Sequence, residues 1–368
     1  MKKVVGVINL VDEKNTLSEL TNHRSFASVP FAGRYRLIDF SLSNMTNAGV
    51  NTVAVFTREK YRSLFDHLGS GREWDLDRHQ GGLFFQPPAD DERKSKGDIH
   101  SFYENISFFK RSLSHYVVVT NGQLVWNVDF DQVINEHEAQ NADITVVYKP
   151  CDDPYTSGEN YNVLYTNDDE RVDRLNLGVQ PLPGDNVYLN TFIMKSSLLI
   201  SMVEESVVSG KFHSINETIA GSLDRYHVHA SHFGGYVTFI DNIESYYRYS
   251  MEMLDPNVTQ ELFYNKGPIY TKVKHESPAK YLESSSVSNS LIANGCTISG
   301  TVENSILFRG IRVGKGAVIR NSIIMQKCEI GEGAVIENVI LDKDVSVSQN
   351  EKVTSEDEPR VIAKSTVI

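Results

Sequence analysis

Apolar and polar positions along the chain follow two different rhythms, and the change falls near residue 285. Before it, short apolar runs rich in branched residues alternate with stretches whose apolar residues recur at helical spacing. Val4 to Leu10, NTVAVFT (51–57), YVVVTNG (116–122) and ADITVVYK (142–149) read as strands, whereas DFSLSNMTNAG (39–49) and FYENISFFKRSL (102–113) read as helices. Such alternation predicts βαβ units and a Rossmann-like α/β domain whose mostly parallel sheet is covered on both faces. Ligands of these sheets bind beyond the carboxyl ends of the strands, so the loop after the first strand is a natural place to look for chemistry. That loop carries Asp12, Glu13 and Lys14 and no glycine, although a backbone that grips phosphate needs glycine for close approach.

Beyond residue 285 the texture is that of a repeat. VGKGAVIRNSII (313–324) and IGEGAVIENVIL (330–341) match almost residue for residue at an offset of 17, and an Asn before aliphatic residues recurs at Asn289, Asn304, Asn321 and Asn338. A period close to three six-residue faces predicts the coils of a parallel β-helix, with one branched residue per face pointing inward and Gly or Asn at the corners. The segment between, 246–284, begins with the helix-like YYRYSMEMLD and continues as an extended linker. The organisation read from the chain is thus an α/β domain over 1–245, a helix and linker over 246–284, and a β-helix over 285–368.

Composition narrows the function classes. The 368 residues suffice for two domains with cores of their own. A formal charge of −12 argues against general affinity for nucleic acid or anionic membranes, so neither is expected as a partner. Cys151, Cys296 and Cys328 stand far apart without a CxxC pair, which fits a reducing compartment and small buried residues. The N-terminal apolar run is broken by Asn9 and Asp12 and is too short for a signal or a membrane span, so a cytoplasmic location is expected. In HVHASH, His227, His229 and His232 place imidazoles along a strand, but no carboxylate stands near them in sequence, and the segment reads as a half-buried strand with no metal site. INEHEAQ (134–140) reads as a solvated helix surface, and Trp74 as a packing residue.

The segments RSFASVPFAGRYRLIDFSLSN (24–44), GSGREWDLDR (69–78) and GYVTFIDNIESYY (235–247), followed by the hexapeptide coils, resemble the bacterial glucose-1-phosphate adenylyltransferases, or ADP-glucose pyrophosphorylases. The likeness spans nearly the whole chain and keeps the motif order. It implies a nucleotidyltransferase-like first domain and a left-handed β-helix. In active members a GGxGxRL loop holds the triphosphate; here Val11 and Asp12 take the paired glycine positions and Thr16 the arginine. The lysine of the family's RAKPAVPF motif falls on Phe26, the metal-binding aspartate of its SGD motif on Gln123, the second metal aspartate on Phe239, and the lysine of its EKP motif on Gly178. Nucleotidyl transfer depends on positioning, metal and charge neutralisation; an amide is a weak Mg²⁺ ligand and a phenyl ring is none.

These losses make the resemblance one to the regulatory, GlgD-type subunit of the family, with no catalytic residue of its own. It implies a heterotetramer with catalytic adenylyltransferase chains, no cofactor bound by this chain, and Mg²⁺ acting at the partner's active site. Arg24, Arg34 and Arg36 are retained. In the family, arginines matching Arg24 and Arg36 bind phosphate-bearing effectors, a task suited to a permanently charged bidentate donor; the alternative is a structural role, for instance pairing with Asp39. Two further functions stay open. Asp12, Glu13, Asp129 and Asp131 offer carboxylates for an active sugar-phosphate nucleotidyltransferase with relocated ligands, and the chain could act as a free-standing sugar-phosphate or nucleotide sensor. Acyltransferases built on similar coils use a histidine base, and residues 285–368 contain no histidine.

Overall fold

The computed structural model describes residues 3–11, 16–58, 60–88, 97–151 and 160–368; Asp12, Glu13 and Lys14 lie outside the described residues. Contacts group the chain into two compact units. Met1–Lys14, Ile38–Val237 and Lys266–Tyr270 form the first, and Asn15–Leu37, Thr238–Asn265 and Thr271–Ile368 the second.

The first unit is built on a sheet of strands β1 (Val4–Asn9), β2 (Thr52–Phe56), β3 (Gly82–Gln86), β4 (Tyr116–Thr120), β5 (Ile144–Pro150), β6 (Tyr161–Thr166), β7 (Val172–Val179), β8 (Asn186–Lys195) and β9 (Val228–His232). Its order is β7-β6-β8-β4-β1-β2-β3, with β5 on β8 and β9 on β5. The four strands β4-β1-β2-β3 are parallel, as the βαβ alternation predicts. From β8 onward the sheet turns antiparallel, β8 pairing that way with β4, β5 and β6, while β9 runs parallel to β5. Strands β1, β2 and β4 are almost wholly apolar because both faces are covered, whereas β3 is half-exposed. On one face Val5, Val7, Ala54, Phe56, Val117 and Val119 join a core with Ile99 and Phe102 of the helix Gly97–Glu104 and Leu199, Met202 and Val203 of the helix Ser196–Ser209. Toward the helix Leu37–Asn47, Gly6 is required by space: a Cβ there would stand 2.5 Å from Met45 Sδ.

The helix Phe130–Ala139 is less solvated than INEHEAQ reads. Its Ile134 and His137 are buried, and His137 Nδ1 lies 2.8 Å from Thr145 Oγ1. Burial first, then the nearby charge of Lys195, drives the His137 imidazole down to about 4, so it is a neutral packing group. Trp74 is buried, as expected.

The second unit contains a left-handed β-helix of three parallel sheets. One face stacks Thr297–Ile298, Arg312–Val313, Glu329–Ile330 and Ser346–Val347; the others repeat the same pattern one side further round. Ile298, Val313, Ile330 and Val347 point inward, as do Val302, Ile319, Ile336 and Val353 on the second face. Partnered residues step by 15 and then 17, as in Thr297–Arg312–Glu329, slightly tighter than three full hexapeptides. The recurring asparagines turn the corners: Asn289, Asn304, Asn321 and Asn338 all have positive φ, between 39° and 54°, which Asn tolerates better than a branched residue. Their amides also form a ladder, Asn289 Nδ2 to Asn304 Oδ1 at 2.7 Å and Asn304 Nδ2 to Asn321 Oδ1 at 2.6 Å.

Helices Ile243–Met251 and Pro256–Tyr264 and the segment 15–37 belong to this unit. Tyr246 donates its hydroxyl to Pro30 O at 2.7 Å, Tyr247 to Asn321 O at 2.6 Å, and Tyr35 stacks on Phe263 at 5.0 Å. All three cysteines are buried thiols outside any disulfide; burial pushes the Cys328 thiol up to about 12, so it stays protonated. Among the described residues no helix is long and apolar enough to cross a membrane.

Candidate functional site

Past the carboxyl ends of β1 and β4, described side chains hydrogen-bond to one another and to the backbone. At the end of β1, Asn9 Nδ2 donates to Asp98 Oδ2 at 2.6 Å and Asn9 Oδ1 accepts from Val11 N at 3.1 Å. Asp98 is 1% exposed and its other oxygen accepts the backbone N–H of Ile215 at 2.9 Å. A buried carboxylate at this place opposes a phosphate anion electrostatically. Past β4, Asn121 folds the next turn: its Oδ1 accepts from Gln123 N at 2.9 Å and its Nδ2 donates to Leu189 O at 3.1 Å. Gln123 is half-buried in this braced turn and presents an amide. Asp129 caps the helix Phe130–Ala139 by accepting from Asp131 N at 3.0 Å and Gln132 N at 3.2 Å, and Asp131 lies in the exposed first turn. On β7, Gly178 has φ +64° at a bulge, its N–H held by Asn162 Oδ1 at 3.0 Å, and a Cβ there would meet nothing within 4 Å.

Thr16, Phe26 and Phe239, the other positions that the resemblance singles out, lie in the second unit. Thr16 is half-buried and its hydroxyl has no hydrogen-bond partner among the described residues. Phe26 is buried in the short 3₁₀ turn Phe26–Ser28, and Phe239 ends the strand Val237–Phe239 half-buried. Neither aromatic side chain offers a donor or a metal ligand.

The three arginines differ in what surrounds them. Arg24, 3% exposed, is bound through Nη2 to both oxygens of Asp342 at 2.8 Å. Arg36 is half-buried on the short strand Tyr35–Arg36, and Arg34 is exposed, its guanidinium 5.0 Å from the Tyr35 ring centre. Sequence reasoning missed the two β-helix residues that complete this cluster, Asp342 and Lys343. Asp342 Oδ1 also accepts the backbone N–H of Lys343 at 2.7 Å. Burial first, then the charges of Arg36 and Arg24, drives the Lys343 ammonium down to about 7 against the pull of Asp342. Arg24, Arg36 and Lys343 thus bring three basic side chains into one neighbourhood with Asp342. No signal in the chain pointed to Lys343, because its significance comes only from the arginines packed beside it.

The histidines of HVHASH also separate. His229 is fully buried on β9 and meets Glu136, whereas His232 is exposed. The carboxylate that the sequence lacked nearby arrives from 93 residues away.

Residues 15–176 match the nucleotidyl transferase family model and residues 275–361 the model for the GlmU-like C-terminal hexapeptide. The chain is 39% identical to a glycogen biosynthesis protein GlgD of Bacillus subtilis (strain 168), over 99% of this chain and 97% of that protein. It is 41% identical to a glycogen biosynthesis protein GlgD of Geobacillus stearothermophilus, over 86% of this chain and 83% of that one. A glucose-1-phosphate adenylyltransferase of the same Geobacillus species is 30% identical over 87% of this chain and 84% of its own length.

Proposed function

The chain belongs to the family of GlgD glycogen biosynthesis proteins, and from that premise we propose that it is a non-catalytic regulatory subunit of ADP-glucose pyrophosphorylase. In this reading it assembles with a catalytic adenylyltransferase chain as a heterotetramer and modulates the formation of ADP-glucose and pyrophosphate from ATP and glucose-1-phosphate. The observation that carries the reading is Gln123: a braced, half-buried turn presents an amide where Mg²⁺ would need an aspartate. The buried Asp98 at the end of β1 supports it, since a carboxylate there works against triphosphate binding. Loss of one electrostatic stabiliser typically costs about 2.7–4 kcal/mol of barrier, and several are missing together.

The regulatory part of the reading rests on the second unit. Arg36 and Lys343 contact a phosphate-bearing effector, while Arg24, held by Asp342, positions the β-helix loop that carries Lys343. An anion there relieves the repulsion among Arg24, Arg36 and Lys343, so binding changes the free energy of this corner and supplies the differential contact that allostery requires.

Pyrophosphate release from ATP and glucose-1-phosphate with Mg²⁺ tests the reading, measured for this chain, for a catalytic chain, and for both co-expressed. Silence of the lone chain with altered turnover or effector response in the mixture is the expected result. Robust turnover by the lone chain would instead favour relocated ligands, and no effect in the mixture would favour a free-standing sensor. In the assembled enzyme, Arg36→Ala should weaken effector activation about tenfold with the fold intact.

A further inference from the structure

One side-chain cluster of the first unit takes no part in that function. Three separate elements meet there: the helix Phe130–Ala139 brings Glu136, the turn 167–170 brings Glu170, and β9 brings His229 and Ser231. His229, 0% exposed, forms the floor, its Nε2 2.7 Å from Glu136 Oε1. Ser231 Oγ donates to the other Glu136 oxygen at 2.7 Å, so this carboxylate is oriented from both sides.

Glu170 is exposed. Its turn is fixed by Asn167, whose Oδ1 accepts the N–H groups of Asp169 and Arg171 at 3.0 Å each, and by Ala230 N, which donates to Glu170 O at 2.9 Å. The Glu170 carboxylate itself has no hydrogen bond or ion pair among the described residues, although the backbone aims it at the other two groups. Ligand atoms of Glu136, Glu170 and His229 all lie within 4.8 Å of one another.

We propose that Glu136, Glu170 and His229 bind one divalent cation of the zinc type, clipping the helix, the turn and β9 together. Two carboxylate oxygens and one imidazole nitrogen are a donor set that suits zinc; Mg²⁺ and Ca²⁺ take oxygen ligands. With bonds of about 2.0–2.2 Å, tetrahedral ligands stand about 3.3–3.5 Å apart, so the Glu136–His229 pair opens slightly and Glu170 swings in. Glu170 is free to do so because it is exposed. Nε2 ligates as the ring proton passes to Nδ1, which has no other partner among the described residues. Ser231 is the outer-shell group that fixes Glu136, and water fills the fourth position.

The electrostatics agree with a site that wants positive charge. Burial pushes the Glu136 carboxyl up, but the hydrogen bonds from His229 and Ser231 outweigh it and hold the group ionised, with a lowered pKa. The Tyr148 phenol nearby is raised by burial and then by the charges of Glu170 and Glu136, the mark of a negative local field.

Calorimetric titration of the chelator-stripped full chain with ZnCl₂, alongside thermal melts with Zn²⁺ or Mg²⁺, tests the site. One equivalent of Zn²⁺ bound in the micromolar range is expected, with a rise in Tm that Mg²⁺ does not produce. Glu170→Gln removes a ligand without disturbing any contact, so its metal-free Tm should match the parent while Zn²⁺ affinity falls at least about tenfold. Absence of saturable one-equivalent binding overturns the proposal, and so does affinity unchanged in Glu170→Gln, which would assign any zinc uptake to other surface groups.

Discussion

Each unit holds a half-buried cluster of charge, and the two are opposite in sign. In the second unit Asp342 binds Arg24 and lies beside Lys343, which also feels the charge of Arg36; in the first, Glu136 and Glu170 flank one imidazole, His229. Both clusters have a core pair that is internally satisfied, Arg24–Asp342 and His229–Glu136, plus a group whose charge exceeds what that pair neutralises. The comparison teaches that a paired buried charge speaks for structure, whereas the surplus charge beside it speaks for a ligand of opposite sign. On the two proposals above, Arg24 positions and Lys343 contacts the anion, while His229 and Glu170 contact the cation.

The sharpest way to break the comparison is to remove a core partner. Asp342→Ala leaves the buried Arg24 guanidinium uncompensated and should cost about 3–5 kcal/mol of unfolding free energy in urea melts. A loss within error would show that Arg24 reaches water and that the pair carries no structural weight.

A subtler effect comes from the surplus cation. The Lys343 ammonium falls from 10.5 in the unfolded chain to about 7 in the folded protein, so the unfolded state binds more protons between those values. Folding stability should therefore rise as pH increases from about 7 toward 10.5 and be lowest below 7. Lys343→Met should flatten this rise and be more stable than the parent near pH 7. Sulfate, whose charge is constant over the range, should raise the parent's Tm more at pH 6.5 than at pH 9, and the variant's far less at either. Identical pH profiles for parent and variant would assign the rise to another group.

The smallest effect is expected where charge is neither buried nor in surplus. Arg320 and Glu303 pair at 2.7 Å on adjacent coils of the β-helix, both well exposed. Arg320→Ala should leave Tm and sulfate response unchanged within error, because solvent screens such pairs. A large drop would mean that exposed coil pairs hold the repeat in register, and would erase the contrast with Arg24.

Legibility in the sequence followed how local the determining contact is. The coils were readable because most repeat the same inward positions 15 or 17 residues later, and the corner asparagines mark positive φ. Three of the four parallel strands were readable within two residues, as in YVVVTNG against Tyr116–Thr120, because a strand buried on both faces must be apolar; the half-exposed β3 was not read. The antiparallel continuation at β8 was not, since strand direction leaves no mark on composition. Glu136 looked solvated because its helix neighbours are polar; only β9 folding beside it shows otherwise.

By itself, then, the sequence determined the two architectures and the family. Propensity, period and side-chain chemistry are properties of neighbours along the chain, and they survive without coordinates. The tertiary structure alone decided that Arg24 is neutralised by Asp342, 318 residues away, that Lys343 stands among cations, and that His229 faces two carboxylates. Charge imbalance is a property of neighbours in space, and burial sets its strength through the local dielectric, so neither can be read until the chain has closed on itself.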